Sequence, residues 1–353
     1  MKNKNYSPKI IQMLNYLCFG GAENVVFNYA TVFFEMELKN YVAGISKNEK
    51  YTKKIGDYSN ILAAKNYFDY FLKLWEITDK NSILFANSTI ALFFGTALKV
   101  IKKNKLIYVQ HLYSFSKTKR KLIYFLVNLF ADKFVAVSPK IAEVAKKEIK
   151  PSKIFFFWNF FNENKADKEQ INLPKNKKDF FIIAVSGTFR KGKNFEMLPE
   201  ICHNLLKREK NSKILFLVLG DGLLKPTVES KVKKYCLEEH FLFTGYVGNV
   251  INYIKEADLY LFLSQAPYEM LSMALIEAMS TGISIMAVEN KNNRFILGEK
   301  GIYAELNSED IAKKILEIKN NPNLRKSSKE RFKQMFSYKK GREKLEELLL
   351  CLY

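Results

Sequence analysis

Cysteine is scarce and scattered in this chain: Cys18, Cys202, Cys236 and Cys351 stand far apart, with neither a C-x-x-C pair nor a Cys/His cluster. A disulfide framework and a structural zinc site are therefore not expected. Long apolar runs are missing as well. The N-terminus, "MKNKNYSPKIIQML", has no extended hydrophobic region and no small-residue cleavage site, so it does not read as a secretory signal and the cytoplasm is the expected location. The best membrane-spanning candidate, "ILFANSTIALFFGTALKVI" (83–101), is interrupted by Asn87, Ser88, Thr89 and Lys99. A strand followed by a helix accounts for it better. No internal repeat, low-complexity tract or Asp-x-Asp pair suited to a diphosphate-bound metal is present, and no metal or other cofactor is expected.

Acidic residues are the minority charge, 36 against 57 lysines and arginines, for a net charge of +21. Such an excess attracts anionic partners, whether nucleic acid, anionic lipid or phosphorylated small molecules, or it reflects a lysine-rich proteome and nothing more. With 353 residues, 48% of them hydrophobic, the chain can bury the cores of about two domains.

Short apolar runs alternate with helical patterns throughout, which predicts α/β layers with parallel sheets. The first half offers strands at "KIIQML", "SILFAN", "LIYVQH" and "KFVAVS". The second offers "FFIIAVSG", "KILFLVLGDG", "HFLFTG", "ADLYLFLS" and "ISIMAV". Between them, "ENKADKEQINLPKNKKD" (163–179) is polar, charged and carries Pro174, and it reads as the linker. The expected domains are 1–168 and 169–335, followed by a terminal segment, 336–353.

Ligands of open α/β sheets bind beyond the carboxyl ends of the strands, so the loops that follow the strands matter most. "CFGGAEN" (18–24) sets Gly20 and Gly21 before a helix, where backbone N–H groups can approach a phosphate or simply make a turn. "LGDGLLK" (219–225) lacks the third glycine of a dinucleotide fingerprint. "SGTFRKGKNFEML" (186–198) is more specific: Gly187 and Gly192 shape a turn from which Arg190, Lys191 and Lys193 project, a set suited to a diphosphate or to a solvated surface.

The segment "YEMLSMALIEAMSTGIS" (268–284) reads as an apolar helix with Glu269 at its entrance and Glu277 two turns further in. Carboxylates cannot usefully bind phosphate, but they accept hydrogen bonds from sugar hydroxyls flanking one. The pair could bracket a nucleotide-sugar, or Glu269 could be a helix-terminal charge and Glu277 the partner of a lysine.

The ordered series "GGAE", a histidine at a strand end, "GTFRKGKN", "LGDG", "FTGYVGNV", "ADLYLFLS" and Glu-x7-Glu before "AMSTG" resembles the retaining nucleotide-sugar glycosyltransferases of the glycogen-synthase and mannosyltransferase-like group, the group 1 glycosyltransferases. The resemblance covers nearly the whole chain and is strongest over 179–284. It implies the GT-B fold, two Rossmann-like domains facing a central cleft, with a last helix crossing back to the N-terminal domain. It also implies roles. Glu269 would contact the donor sugar and Glu277 the ribose, while Gly187, Arg190, Lys193 and the helix entrance at Leu271 and Ser272 would meet the diphosphate. Gly20 and Gly21 would form the facing loop, His111 would stand near the donor sugar, and the stretch around Val247 would line the base. His203 and His240 match nothing and read as structural. Relatives commonly carry Gly-Arg where Gly187–Thr188 stands here, and a Pro-Glu pair where this chain has Asn293–Arg294.

The implied reaction moves a sugar from a nucleoside diphosphate, with UDP the expected base, to an acceptor hydroxyl. Charge points to the acceptor: residues 1–172 hold 27 basic and 14 acidic residues, a net +13, against +8 for the rest. "SKTKRKLIYFLVNLF" (116–130) joins Lys117, Lys119, Arg120 and Lys121 to an apolar run, as a helix lying on an anionic membrane would, or as an ordinary packing helix with a solvated end would. A saccharide or lipid-linked saccharide of bacterial surface glycan synthesis, on the inner face of the cytoplasmic membrane, is the expected acceptor. A nucleotide-sugar epimerase of the same fold is the nearest rival. A nucleic-acid-binding protein is disfavoured, because the basic residues are dispersed and the two carboxylates would repel a phosphate backbone.

Overall fold

The structure is a computed structural model that describes residues 8–111, 116–163, 173, 179–264 and 270–353. The chain divides into two units, one made of Met1–Phe160 with Tyr338–Tyr353 and the other of Phe161–Ser337. Most of the expected linker falls outside the described residues.

The first unit carries a parallel sheet of β1 (Lys9–Leu17), β2 (Asn40–Ser46), β3 (Asn60–Ala64), β4 (Ser82–Ala86), β5 (Lys105–Gln110), β6 (Lys133–Ala136) and β7 (Ile154–Phe156). Its order is β3-β2-β1-β4-β5-β6-β7. The crossovers are α1 (Gly21–Glu35), α2 (Glu49–Gly56), α3 (Tyr67–Ile77), α4 (Thr89–Lys102), α5 (Lys117–Phe130) and α6 (Pro139–Glu148). The segment 83–101 resolves into β4 and α4, with the Ser88 hydroxyl accepting from the Ala91 amide at the helix start. Among the described residues no helix is long and apolar enough to cross a membrane.

The second unit is built alike, from β8 (Phe181–Ser186), β9 (Ile214–Leu219), β10 (Phe241–Gly245), β11 (Leu259–Phe262), β12 (Ser284–Val288) and β13 (Ile302–Ala304), in the order β10-β9-β8-β11-β12-β13. Its helices are α7 (Leu198–Arg208), α8 (Lys225–Lys234), α9 (Val250–Lys255), α10 (Met273–Thr281), α11 (Lys291–Leu297), α12 (Ser308–Asn320) and α13 (Lys329–Met335). Strands β8 and β9 are buried at every position, as strands covered by helices on both faces must be. In both sheets the strand order reverses beside the first strand, and that reversal sets the place where a ligand finds a crevice at the carboxyl ends.

The last helix, α14 (Tyr338–Leu350), belongs to the first unit, where Arg342 pairs with Glu35 of α1. Gly341 is what lets it seat: a Cβ there would run into the ring of Phe160. That ring is stacked against Tyr29 and Phe157, with centroids 5.8 and 5.9 Å away, so it has nowhere to go. Gly341→Ala gains about 0.5–1 kcal/mol of helix propensity, but overpacking a fixed core costs about 1–3 kcal/mol. The variant is expected to lower the melting temperature by several degrees, measured by calorimetry, whereas alanine at an ordinary helical glycine would raise it.

Candidate active site

The site residues of the second unit sit on loops that leave β8, β9, β10 and β11. The β8 loop begins at Gly187 and is locked to the β9 loop by backbone hydrogen bonds: Gly187 N to Leu219 O, 3.0 Å; Phe189 N to Asp221 O, 2.9 Å; Leu224 N to Phe189 O, 3.1 Å. Only glycine permits this approach. A Cβ on Gly220 would strike the carbonyl oxygen of Gly187, and one on Gly222 would lie 2.7 Å from the carbonyl oxygen of Phe189. Both adopt positive φ, 135° and 149°. The "GDG" glycines therefore act as a packing device, which their failure to match a dinucleotide fingerprint did not suggest.

Phe189 pins the loop by its side chain, fully buried with its ring edge-on to Phe195 at 4.9 Å. The basic residues that follow then diverge. Arg190 and Lys191 are exposed, while Lys193 is turned inward and only 6% accessible, its ammonium 5.6 Å from the centre of the Phe262 ring. Asn194, in the left-handed region at φ 57°, donates its Nδ2 to Leu263 O at 2.9 Å and so ties the loop to the end of β11. An ammonium withdrawn from water is stable only with anionic or hydrogen-bonding company, and Lys193 is held in such company in the loop beyond β8.

From β11 the chain passes through residues outside the described set, Glu269 among them, and re-enters at Met270. Helix α10 starts at Met273, later than the apolar run suggested, so Glu277 occupies its second turn and is half-buried. Ser272 is the N-cap, yet its side chain caps nothing. The hydroxyl is buried and has no hydrogen-bond partner among the described residues, beside the helix's unpaired amides. Met270 and Leu271 are buried next to it. Val247 is half-buried in the turn between β10 and α9, whose start is capped by Asn249. Asn293, given no role by sequence, is buried and donates to Val288 O (2.7 Å) and Ser264 O (3.3 Å), joining the ends of β12 and β11. Arg294 is held by Glu289 at 2.6 Å.

In the first unit, Gly20 is the N-cap of α1 in extended backbone, and Gly21 is exposed with open space around it. The carboxylate of Glu23 folds back onto Gly20, so the anion niche at this helix start holds the chain's own carboxylate. Burial raises the Glu23 pKa, and the Cys18 thiol lies 3.9 Å from its Oε1. The "GGAE" motif signalled the turn; nothing in it signalled that its glutamate would occupy the niche.

His111 ends β5 and meets Asn87 at the end of β4, with 3.0 Å between Nε2 and Asn87 Oδ1. Asn87 Nδ2 is spent on Phe85 O at 3.1 Å, so Oδ1 is the acceptor and His111 carries its hydrogen on Nε2. Nδ1 is left as an acceptor. Burial pushes the imidazole down to about 4, which keeps it neutral at physiological pH. The other two histidines have structural partners: His203 stacks on Tyr235 at 4.9 Å, and His240 Nδ1 lies 2.9 Å from Ile214 O.

This architecture is shared with solved proteins. A structure of HepE (Alr3699) from Anabaena in complex with UDP-glucose superposes with a TM-score of 0.82, covering 97% of this chain and 99% of that one at 16% identity. The fold is that of the GT-B glycosyltransferases. Residues 165–335, just under half of the chain, match the family described as glycosyl transferases group 1. Two curated bacterial proteins are similar to part of it. The N-acetylgalactosamine-N,N'-diacetylbacillosaminyl-diphospho-undecaprenol 4-alpha-N-acetylgalactosaminyltransferase of Campylobacter jejuni is 29% identical over 168 residues, 46% of this chain and 43% of that protein. The putative glycosyltransferase EpsD of Bacillus subtilis is 25% identical over 151 residues, 42% and 39% of the two chains. The match thus spans less than half the length of either curated relative.

The His111 geometry has a consequence for stability. Unfolded, the imidazole accepts a proton near its ordinary value of 6.5, while the folded chain refuses it until about 4. Acidification through that window therefore favours unfolding, and the stability tied to His111 is present above pH 6.5 and lost on the way to pH 4. Melting temperatures from pH 7 to 4 should fall less steeply for His111→Gln than for wild type. Parallel curves would contradict the burial of a neutral imidazole.

Proposed function

We propose that the chain transfers a sugar from a nucleoside-diphosphate sugar, with UDP as the carrier, to an acceptor hydroxyl, with retention at the anomeric carbon. The observation that carries this reading is the buried ammonium of Lys193, set by the glycine-locked β8 and β9 loops at the strand ends. Leaving of the diphosphate develops negative charge, and a preorganised cation beside a helix N-terminus stabilises that charge without reorganising. Lys193, the amides at Leu271 and Ser272, and Gly187 are assigned to the diphosphate, with the exposed Arg190 as an outer contact. Glu277 is assigned to the ribose hydroxyls, Glu269 to the sugar hydroxyls and the turn around Val247 to the base. His111 offers Nδ1 to a donor hydroxyl, and Gly20 and Gly21 form the facing loop. The positive charge comes from side chains, so a divalent ion is not needed. The UDP-glucose held by the similar HepE structure supports the donor class.

For the acceptor, the basic first unit and the diphospho-undecaprenol named in the Campylobacter relative support a lipid-linked saccharide of bacterial surface glycan synthesis, such as a lipopolysaccharide or capsule intermediate. Transfer would then take place at the cytoplasmic face of the membrane, with the enzyme bound peripherally.

The test is donor turnover and binding with UDP-, GDP-, ADP- and CMP-sugars. Lys193→Met should reduce kcat by ~10²–10³, and Arg190→Met by much less. Glu277→Gln should fold normally and bind nucleotide weakly. Excess chelator should leave nucleotide-sugar binding intact. Wild-type turnover in Lys193→Met would defeat the assignment, as would binding restored only by added Mg²⁺ or Mn²⁺.

A further inference from the structure

In the first unit the crossovers from β3 to β4, β4 to β5 and β5 to β6 all run in one direction across the sheet. Right-handed connections therefore place α3, α4 and α5 side by side on one face. Ring contacts of Phe94 with Tyr70 (5.5 Å) and Phe71 (5.4 Å) join α4 to α3, and α5 lies against α4. Each helix buries one side on the sheet and turns an apolar side outward. The outward residues are Phe68 on α3, Phe93 and Val100 on α4, and Leu122, Phe125 and Leu129 on α5, all between 44% and 74% exposed.

Helical spacing makes this a pattern. Phe93 and Val100 stand two turns apart on one row, as do Leu122 and Leu129 with Phe125 between them, opposite the buried Leu92, Leu98, Ile123 and Val127. Scattered exposed apolar residues are ordinary; rows on two adjacent helices, with Phe68 beside them on a third, mark an interaction face. Its charge identifies the partner. Neither α4 nor α5 contains an Asp or Glu, whereas α3 carries Asp69, paired with Lys73 at 3.1 Å, and an exposed Glu76, so the basic excess lies on the α4 and α5 side of the face. Exposed Lys103, Lys117, Lys119 and Lys121 flank the rows. Arg120, counted by sequence with the membrane-facing cluster, is instead drawn inward to Glu148, with Nη2 at 2.8 Å and Nε at 3.0 Å from Oε1. A second copy of a chain with net charge +21 would bring like charge onto like.

We propose that the outer face of α3, α4 and α5 docks on a bilayer containing anionic lipid, its apolar rows entering the interface and its lysines meeting the headgroups. The proposal rests on the transferase reading for its purpose, bringing the protein to a lipid-linked acceptor, and on the face alone for the binding itself. It differs from attachment by a basic segment because α4 contributes through apolar contact.

Co-sedimentation of the full chain with phosphatidylcholine vesicles, with and without phosphatidylglycerol, tests it. Wild type should sediment with the anionic vesicles. Lys117→Gln/Lys119→Gln/Lys121→Gln should lose affinity by about fivefold per lysine, on the order of 100-fold in all. Phe93→Ser/Val100→Ser should lose tenfold or more. Both variants change exposed side chains and should melt as wild type does. Undiminished binding of the α4 variant would overturn the proposal, and so would equal binding to both kinds of vesicle. A concentration-dependent dimer in gel filtration, abolished by Phe93→Ser/Val100→Ser, would assign the face to a second copy and overturn it too. Vesicle binding needs no turnover, so a chain that docks as described yet transfers no sugar would defeat the transferase reading and leave the docking face standing.

Discussion

The backbone lock between the β8 and β9 loops is the constraint on which the candidate site depends. Parallel strands deliver loops to one edge of the sheet, but an irregular loop of eight residues has many conformations. Here three hydrogen bonds to the neighbouring loop, made possible by Gly220 and Gly222, and a buried aromatic anchor at Phe189 leave little freedom. With both sides of the turn fixed, Arg190 faces solvent and Lys193 faces the interior. Replacing either glycine would push backbone against backbone, so the effect on the site would come through the position of Lys193 although neither glycine carries chemistry.

The first unit uses strand ends differently. There the helix-start niche after β1 is filled by Glu23, and the end of β5 carries a neutral imidazole with its hydrogen fixed by Asn87. Beyond β1 and β5 that unit thus presents a carboxylate and a neutral acceptor, while Lys47 and Lys65 follow β2 and β3. The second unit offers the inward-turned ammonium of Lys193 and a helix start whose Ser272 hydroxyl has no hydrogen-bond partner among the described residues.

Much of the fold was legible because buried parallel strands are dense apolar runs: "FFIIAVSG" and "KILFLVLGDG" contain β8 and β9. The missed strands carry weaker signals. β2 is broken by Gly44, β3 lies at the sheet edge with half its surface open, and β7 and β13 are three residues long. In the site, spacing placed Arg190, Lys191 and Lys193 in one turn but could not say which faces inward, since a loop has no period to reveal its faces. The Asn87–His111 pair joins residues 24 positions apart on neighbouring strands, and Glu23 closes on Gly20 through a side-chain torsion. Neither leaves a mark in local sequence. The glutamate pair was legible as a motif, yet only Glu277 can be given a structural setting.

The central claim is that a buried lysine at the end of β8 recognises the terminal phosphate of a nucleoside diphosphate. Calorimetric titration of wild type and Lys193→Met with UDP and with UMP isolates that phosphate. The account predicts that wild type binds UDP at least tenfold more tightly than UMP and that Lys193→Met erases most of the difference. Equal affinity of wild type for the two nucleotides, or a difference that survives the substitution, would contradict it.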